Sequence, residues 1–331
     1  MELEKKSRPT SVYALMVKFG TIVFAGILVC IIISNFSVFS PNWPFALFAS
    51  FSGTFILILP FTLMFLLNRW RRAILPIVLL ALFAFYPFYS FEEFVTAMEH
   101  DCIADECISV VAANIGYKRD ALEKLAHTKA KDADILIIVE FPYSASPDEL
   151  LALFPMDGEG QITIITEKKL RLGSRIAVMS RKSLDDVNLK LHQFPNTELR
   201  QRGIVSFNYT MTSGEPPLSF VIVHPPSPKR KATIVSRDAY LYEASGSLSN
   251  TSNFIMIGDF NMTPWEPNFS SLPGKRVGNP RWTRTWNARK FWQHIAIDHA
   301  LVGEDVGVSE AYVLPDVGSD HFPIYMVVHA K

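Results

Sequence analysis

The chain has 331 residues and balances 32 Lys and Arg against 32 Asp and Glu, and the five-charge acidic excess of residues 92–331 excludes that part as a general polyanion binder. Its length allows two ordinary domains. The apolar residues, 49% of the total, are spread so unevenly that a single soluble composition is excluded and the two parts must be read separately.

Phe19–Asn68 contains no charged residue, and a second uncharged run covers Ala73–Phe91. A bilayer core of roughly 30 Å needs about 20 apolar helical residues to cross it. The first run is therefore long enough for two crossings, divided by Ser40-Pro41-Asn42-Trp43-Pro44. Transmembrane helices are predicted at 18–39, 45–67 and 73–91, with Pro60, Pro76 and Pro87 tolerated inside helices that have packed neighbours. A cleaved signal peptide is the competing reading of the first span, but the apolar stretch is too long for one and further spans follow. Lys5, Lys6, Arg8 and Lys18 precede the first span, and Arg69, Arg71 and Arg72 lie between the second and third, so both segments are expected in the cytoplasm. Three spans then put the rest of the chain on the opposite side. No ionisable residue lies inside a span, so anchoring is a simpler role for this region than transport or sensing.

Residues 92–105 read as a linker holding Glu92, Glu93, Glu99, Asp101 and Asp105 without one Lys or Arg. Cys102 and Cys107 lie where a disulfide would persist outside the cytoplasm, and two buried thiols are the equal alternative. A zinc site using His100 with these two cysteines lacks an evident fourth ligand.

From residue 106 to 331 the pattern changes to short β-type runs. Strands are predicted at 108–114, 134–140, 161–166, 175–180, 187–192, 204–209, 218–224, 253–259, 295–302 and 322–328. An amphipathic helix is predicted at 118–131 and a weaker one at 229–245. Helices are few and strands often follow strands, which fits two packed sheets with helices outside better than strict βαβ alternation.

Four of these strands end in polar residues: Asn114 after Val-Val-Ala-Ala, Glu140 after Ile-Leu-Ile-Ile-Val, His224 after Phe-Val-Ile-Val and Asp259 after Ile-Met-Ile-Gly. Each alone reads as a solvated turn. Together with Gly258-Asp259-Phe260-Asn261, Ile297-Asp298-His299 and Gly318-Ser319-Asp320-His321, they form an ordered set of carboxylates, amides and imidazoles that core packing explains poorly. A calcineurin-type two-metal site is excluded, because its Asp-x-His and Gly-Asn-His are missing.

At these residues, and at Thr285-Trp286 and Val223-His224-Pro225-Pro226, the chain resembles the endonuclease/exonuclease/phosphatase superfamily, over roughly 106–331. The His-Pro-Pro and Thr-Trp forms are similar to its membrane-anchored bacterial branch. The resemblance implies a four-layer α-β-β-α sandwich behind the transmembrane helices, and a multi-pass protein of the bacterial inner membrane with a periplasmic catalytic domain. It implies Mg2+, with Mn2+ as a substitute, held by Glu140 with Asn114 close by; a hard cation suits these oxygen ligands. It further implies that Asp259 activates water, Asn261 helps place the phosphate, His321 held by Asp320 contacts a phosphoryl oxygen, and Asp298 assists the leaving group or a second metal. His224 is carried over near the phosphate. His299 is read as packing.

Residues 92–331 carry 25 Lys and Arg against 30 Asp and Glu. Two basic clusters stand out locally, Lys229-Arg230-Lys231 and the alternation of Arg281, Arg284, Arg289 and Lys290 with Trp282, Trp286, Phe291 and Trp292. Such alternation suits stacked bases of a single strand or a headgroup at a bilayer interface, and it equally suits a surface loop with partly buried tryptophans. Arg175, Arg284 and Trp286 are the substrate-binding candidates. The expected partners are a phosphoester substrate, nucleic acid or lipid headgroup, and the lipid bilayer; no obligate protein partner is implied. A catalytically silent binding module of the same fold is the alternative.

Overall fold

The computed structural model describes residues 106–155, 161–165, 175–194, 201–211, 216–278, 284–290 and 295–331, with Phe94–Val95 and a few single positions nearer the N-terminus. Apart from those single positions, the predicted spans 18–39, 45–67 and 73–91 lie outside the described residues. Among the described residues no helix is long and apolar enough to cross a membrane.

The strands are β1 (Phe94–Val95), β2 (Cys107–Asn114), β3 (Ile135–Val139), β4 (Gln161–Ile165), β5 (Ile176–Ser180), β6 (Asp185–His192), β7 (Arg202–Tyr209), β8 (Leu218–Val223), β9 (Phe254–Asp259), β10 (Lys275–Val277), β11 (Asp298–Val302), β12 (Val306–Val313) and β13 (Ile324–Ala330). Helix α1 (Arg119–Leu125) follows β2, α2 (Pro147–Leu153) follows β3 and α3 (Lys231–Gly246) follows β8. One sheet runs β1-β10-β11-β9-β8-β7-β6 and the other β12-β13-β2-β3-β5-β4. Each holds one long parallel pair bridged by a helix, β2 with β3 through α1 and β8 with β9 through α3. Parallel neighbours require such a crossover.

The two sheets pack face to face. Val110, Ala112, Ile135, Ile137 and Val178 of one meet Phe207, Phe220, Ile222, Ile255 and Ile257 of the other. The alternate residues face outward: Val111, Ala113, Leu136 and Ile138 meet Leu122 and Leu125 of α1, while Val221, Val223 and Met256 meet Tyr240, Leu241 and Ala244 of α3. Both faces of the central strands are thus covered, which is why Ile135–Val139 is apolar at every position. Fold and layering agree with the sequence reading.

The single helix predicted at 118–131 is two elements. α1 ends at Leu125, and Thr128 starts a separate 3-10 turn (Lys129–Asp132) by accepting the Ala130 amide on its hydroxyl at 3.1 Å. Cys107 is disulfide-bonded, its partner cysteine lying outside the described residues. Phe94 and Val95, inside the predicted linker, pair in parallel with Arg276 and Val277 at the sheet edge.

Candidate active site

The polar strand ends converge at one rim of the sandwich. Asn114 closes β2 and Glu140 follows β3, the parallel pair of one sheet, and His224 follows β8 and Asp259 closes β9, the parallel pair of the other. Across the seam, Asn114 Nδ2 donates to Asp259 Oδ2 at 3.0 Å. His224 Nε2 lies 3.5 Å from Glu140 Oε1 and 3.6 Å from Asp259 Oδ2. Glu140 and Asn261 adopt φ of +54° and +50°, left-handed conformations that non-glycine residues hold only where the surroundings enforce them.

β11 runs antiparallel to β9 with Asp298 directly opposite Asp259, so two buried carboxylates are neighbours. Burial and then Asp298 push the Asp259 carboxyl up to about 7, against the opposing pull of His321 and of the Asn261 and Asn114 donors. His321 Nδ1 lies 2.9 Å from Asp298 Oδ2 and 3.1 Å from Oδ1, with Nε2 3.8 Å from Asp259 Oδ2. Burial alone lowers the His321 pKa, but Asp298, Asp259 and Asp320 outweigh it and raise it to about 10. The expected holder of His321 was Asp320, and this is corrected: Asp298 holds the ring. The chain bends at 318–320, and Asp320 instead accepts the indole N–H of Trp286 at 3.2 Å.

His224 is the second imidazole, and it is neutral: burial, Arg202 and His321 all lower its pKa. Arg202 Nη1 lies 3.4 Å from its Nδ1. A guanidinium only donates, so Nδ1 is the acceptor and the N–H sits on Nε2, toward Glu140 and Asp259. Arg202 was not singled out from the sequence. It opens β7, which runs antiparallel to β8 with Val205 opposite Ile222, and this register sets the start of β7 beside the end of β8.

The remaining motif residues hold the site together. Thr285 Oγ1 accepts the amides of Ile297 and Asp298 at 3.1 and 2.9 Å. Ser319 Oγ donates to Asn114 O at 2.7 Å, tying the last loop to β2. Asn261 Nδ2 donates to Pro225 O at 3.1 Å, and its backbone amide donates to Asp259 Oδ1 at 2.8 Å. Arg175, expected to bind substrate, buttresses the loop after β3: its guanidinium donates to Pro142 O and Ala145 O and lies 4.8 Å from the Phe141 ring centroid. Trp286 serves Asp320, while Arg284 makes no hydrogen bond or ion pair among the described residues. His299 packs as predicted, Nδ1 accepting from Arg276 Nε at 3.1 Å and Nε2 lying 2.9 Å from Met262 O.

The Endonuclease/Exonuclease/phosphatase family matches residues 111–321, well over half of the chain and the whole stretch from β2 to His321. The chain belongs to this family. Solved structures agree in fold. A functionally unknown conserved protein from Enterococcus faecalis V583 superposes with a TM-score of 0.52 at 15% identity, covering 68% of this chain and 100% of that one. The catalytic domain of human Nocturnin, with bound sulfate anion, gives 0.51 at 15%, covering 68% and 94%. TDP2 of D. rerio, complexed with single strand DNA product, gives 0.50 at 18%, covering 68% and 99%. No curated protein matches the sequence.

Two donor sets in this family member could hold a cation. Asp259, Asp298 and His321 bring ligand atoms within 4.8 Å of one another. His321 and Asp298, however, already satisfy each other by hydrogen bond, which removes two of those three. Glu140 is the freer carboxylate. Burial raises its pKa, Asp320 and Asp298 raise it further, and His321 and Arg202 oppose them. Carboxylates held above their usual range by burial and mutual repulsion fit a hard divalent cation. Glu140 would hold it, with Asp259 and Asn114 adjoining.

Proposed function

We propose that this chain is a divalent-metal-assisted phosphoester hydrolase, anchored in the bacterial inner membrane with its catalytic domain outside the cytoplasm. One observation carries the chemistry: a buried imidazolium–carboxylate pair, His321–Asp298, stands beside a carboxyl near neutrality, Asp259, with Glu140 and neutral His224 opposite. Family membership supports the reaction class and the uncharged runs of 1–91 support the anchor.

Hydrolysis requires water to attack phosphorus as the bond to the departing oxygen breaks. Asp259 takes the proton from water, a task suited to a base that titrates near the working pH. The His321 cation, kept charged by Asp298, neutralises a phosphoryl oxygen as charge grows on it. His224 Nε2–H donates into the same space. The amide of Asn261 has one hydrogen on Pro225 O and a second to give to the phosphate. A bound divalent cation supplies charge neutralisation at phosphorus and a lowered pKa for the attacking water. No covalent nucleophile is needed.

A nucleic-acid phosphodiester is the substrate class to test first, in line with the single strand DNA product in the D. rerio TDP2 structure; lipid headgroups are the second. The test gives the full chain single- and double-stranded DNA, RNA, sphingomyelin, phosphatidylinositol phosphates and nucleotides, with Mg2+, Mn2+ or chelator, beside Glu140→Gln. The expected result is cleavage of one class that is lost in the variant and under chelation. Cleavage of none, or cleavage untouched by Glu140→Gln, would reject the proposal.

A further inference from the structure

Tyr117 and Tyr143 lie outside the chemistry described above, yet they stand on the two loops that carry its first residues. Gly116 N donates to Asn114 Oδ1 at 3.0 Å, and Tyr117 N donates to Glu140 O at 2.7 Å. The two phenol rings are stacked, 5.2 Å between centroids and 11° between planes. Tyr143 is nevertheless 66% exposed. Both loops are held: the Tyr117 amide is fixed on Glu140 O, and the 141–145 loop is clamped by Arg175, whose guanidinium grips Pro142 O and Ala145 O and lies 5.8 Å from the Tyr143 centroid.

We propose that this ring pair is a stacking platform for an unpaired nucleobase, making the substrate of the adjoining site a single-stranded nucleic acid. The proposal rests on the hydrolase reading for where the phosphate lies. An exposed aromatic ring fixed in advance loses little freedom when a flat partner settles on it. Near-parallel rings offer a planar face. A quaternary ammonium headgroup is recognised by rings that face a cation, and two rings only 11° apart and stacked on each other do not box one in. An acyl chain wants continuous aliphatic surface, whereas the neighbours here are phenols and a guanidinium. A base inside a duplex has both faces covered, so the platform selects single strands.

The experiment uses the full chain in detergent micelles with chelator, so that binding is read without cleavage. Fluorescein-labelled oligothymidylate, an abasic strand of equal length and an oligothymidylate–oligoadenylate duplex are titrated by anisotropy. The base-bearing strand is expected to bind about tenfold more tightly than the abasic one, and more tightly than the duplex. Tyr143→Ala should collapse the ratio between base-bearing and abasic strands toward one, and Tyr143→Trp should keep it. Equal binding of the two strands by the wild type, a ratio unmoved by Tyr143→Ala, or binding of sphingomyelin vesicles with none of either strand would overturn the proposal. Hydrolysis that depends on Glu140 but shows no base preference sinks the platform and leaves the hydrolase reading standing. A base preference without metal-dependent hydrolysis does the reverse.

Discussion

His321 and Asp320 are adjacent in sequence, and adjacency was the wrong guide to their chemistry, because a backbone turn sends the two side chains apart. What holds the imidazole is Asp298, brought in by the pairing of β11 with β9 and fixed through its amide by Thr285. The residues at strand ends were legible, since a polar group closing a buried run has few packing explanations. Arg202 was not, because nothing in Arg202-Gly203 reveals that β7 returns beside the end of β8. The pair has a measurable signature. In folded, metal-free protein His321 should keep its proton to about pH 10, against 6.5 for a free imidazole. The folded pKa lies above the unfolded one, so the stabilisation is complete below pH 6.5 and is lost as pH rises through about 10. Asp298→Asn should lower the midpoint of the His321 ring resonance and cut hydrolysis by on the order of 100-fold. An unmoved midpoint would show that Asp298 is not the partner.

At the level of elements, the glycine of Gly-Asp-Phe-Asn belongs to the sheet. Gly258 sits in β9 at φ +141°, where an added Cβ would lie 2.2 Å from Val223 O of the parallel partner β8. Gly258→Ala should therefore destabilise the domain by about 3 kcal/mol or more, read as a lowered thermal midpoint. The turn after β9 is gripped from α3. Buried Arg237 pairs with Glu266 at 2.7 Å and Asp238 at 2.8 Å and donates to Asn261 O at 2.9 Å, sustaining the left-handed turn at Asn261. Removing it strands the buried Glu266, so Arg237→Met is expected to cost about 3 to 5 kcal/mol. Denaturant unfolding measures this, and a loss below 1 kcal/mol would mean that the pair behaves like a surface one. Apolar runs revealed most strands, but not all elements. β12 was missed because its second half, with Glu310 and Tyr312 exposed, lacks a buried run. α2 was missed although Ser146 and Glu149 carry a capping signal, the Ser146 hydroxyl accepting the Glu149 amide at 3.2 Å. Seven residues are too few to show a helical period.

For the whole molecule, the two long uncharged runs, 19–68 and 73–91, lie before the family match, which begins at residue 111. On the proposed topology, the basic residues before the first expected span and after the second would lie in the cytoplasm. A C-terminal alkaline phosphatase fusion should be active and a green fluorescent protein fusion at the same point dark; the opposite pair of results would move the catalytic domain to the cytoplasm. That two sheets pack with helices outside was readable from the order of elements, whereas the seam was not, because it exists only when two sheets meet. Asn114 and Glu140 come from one sheet, His224, Asp259 and Asp298 from the other, and His321 immediately precedes β13, which inserts between β12 and β2. β13 is thus an interior strand of its sheet, and His321 follows the other site residues in chain order. A nascent chain that has not yet reached residue 321 holds Glu140, Asp259 and Asp298 but lacks the imidazolium that pairs with Asp298. The charge balance of the site therefore closes only once β13 has taken its place between β12 and β2.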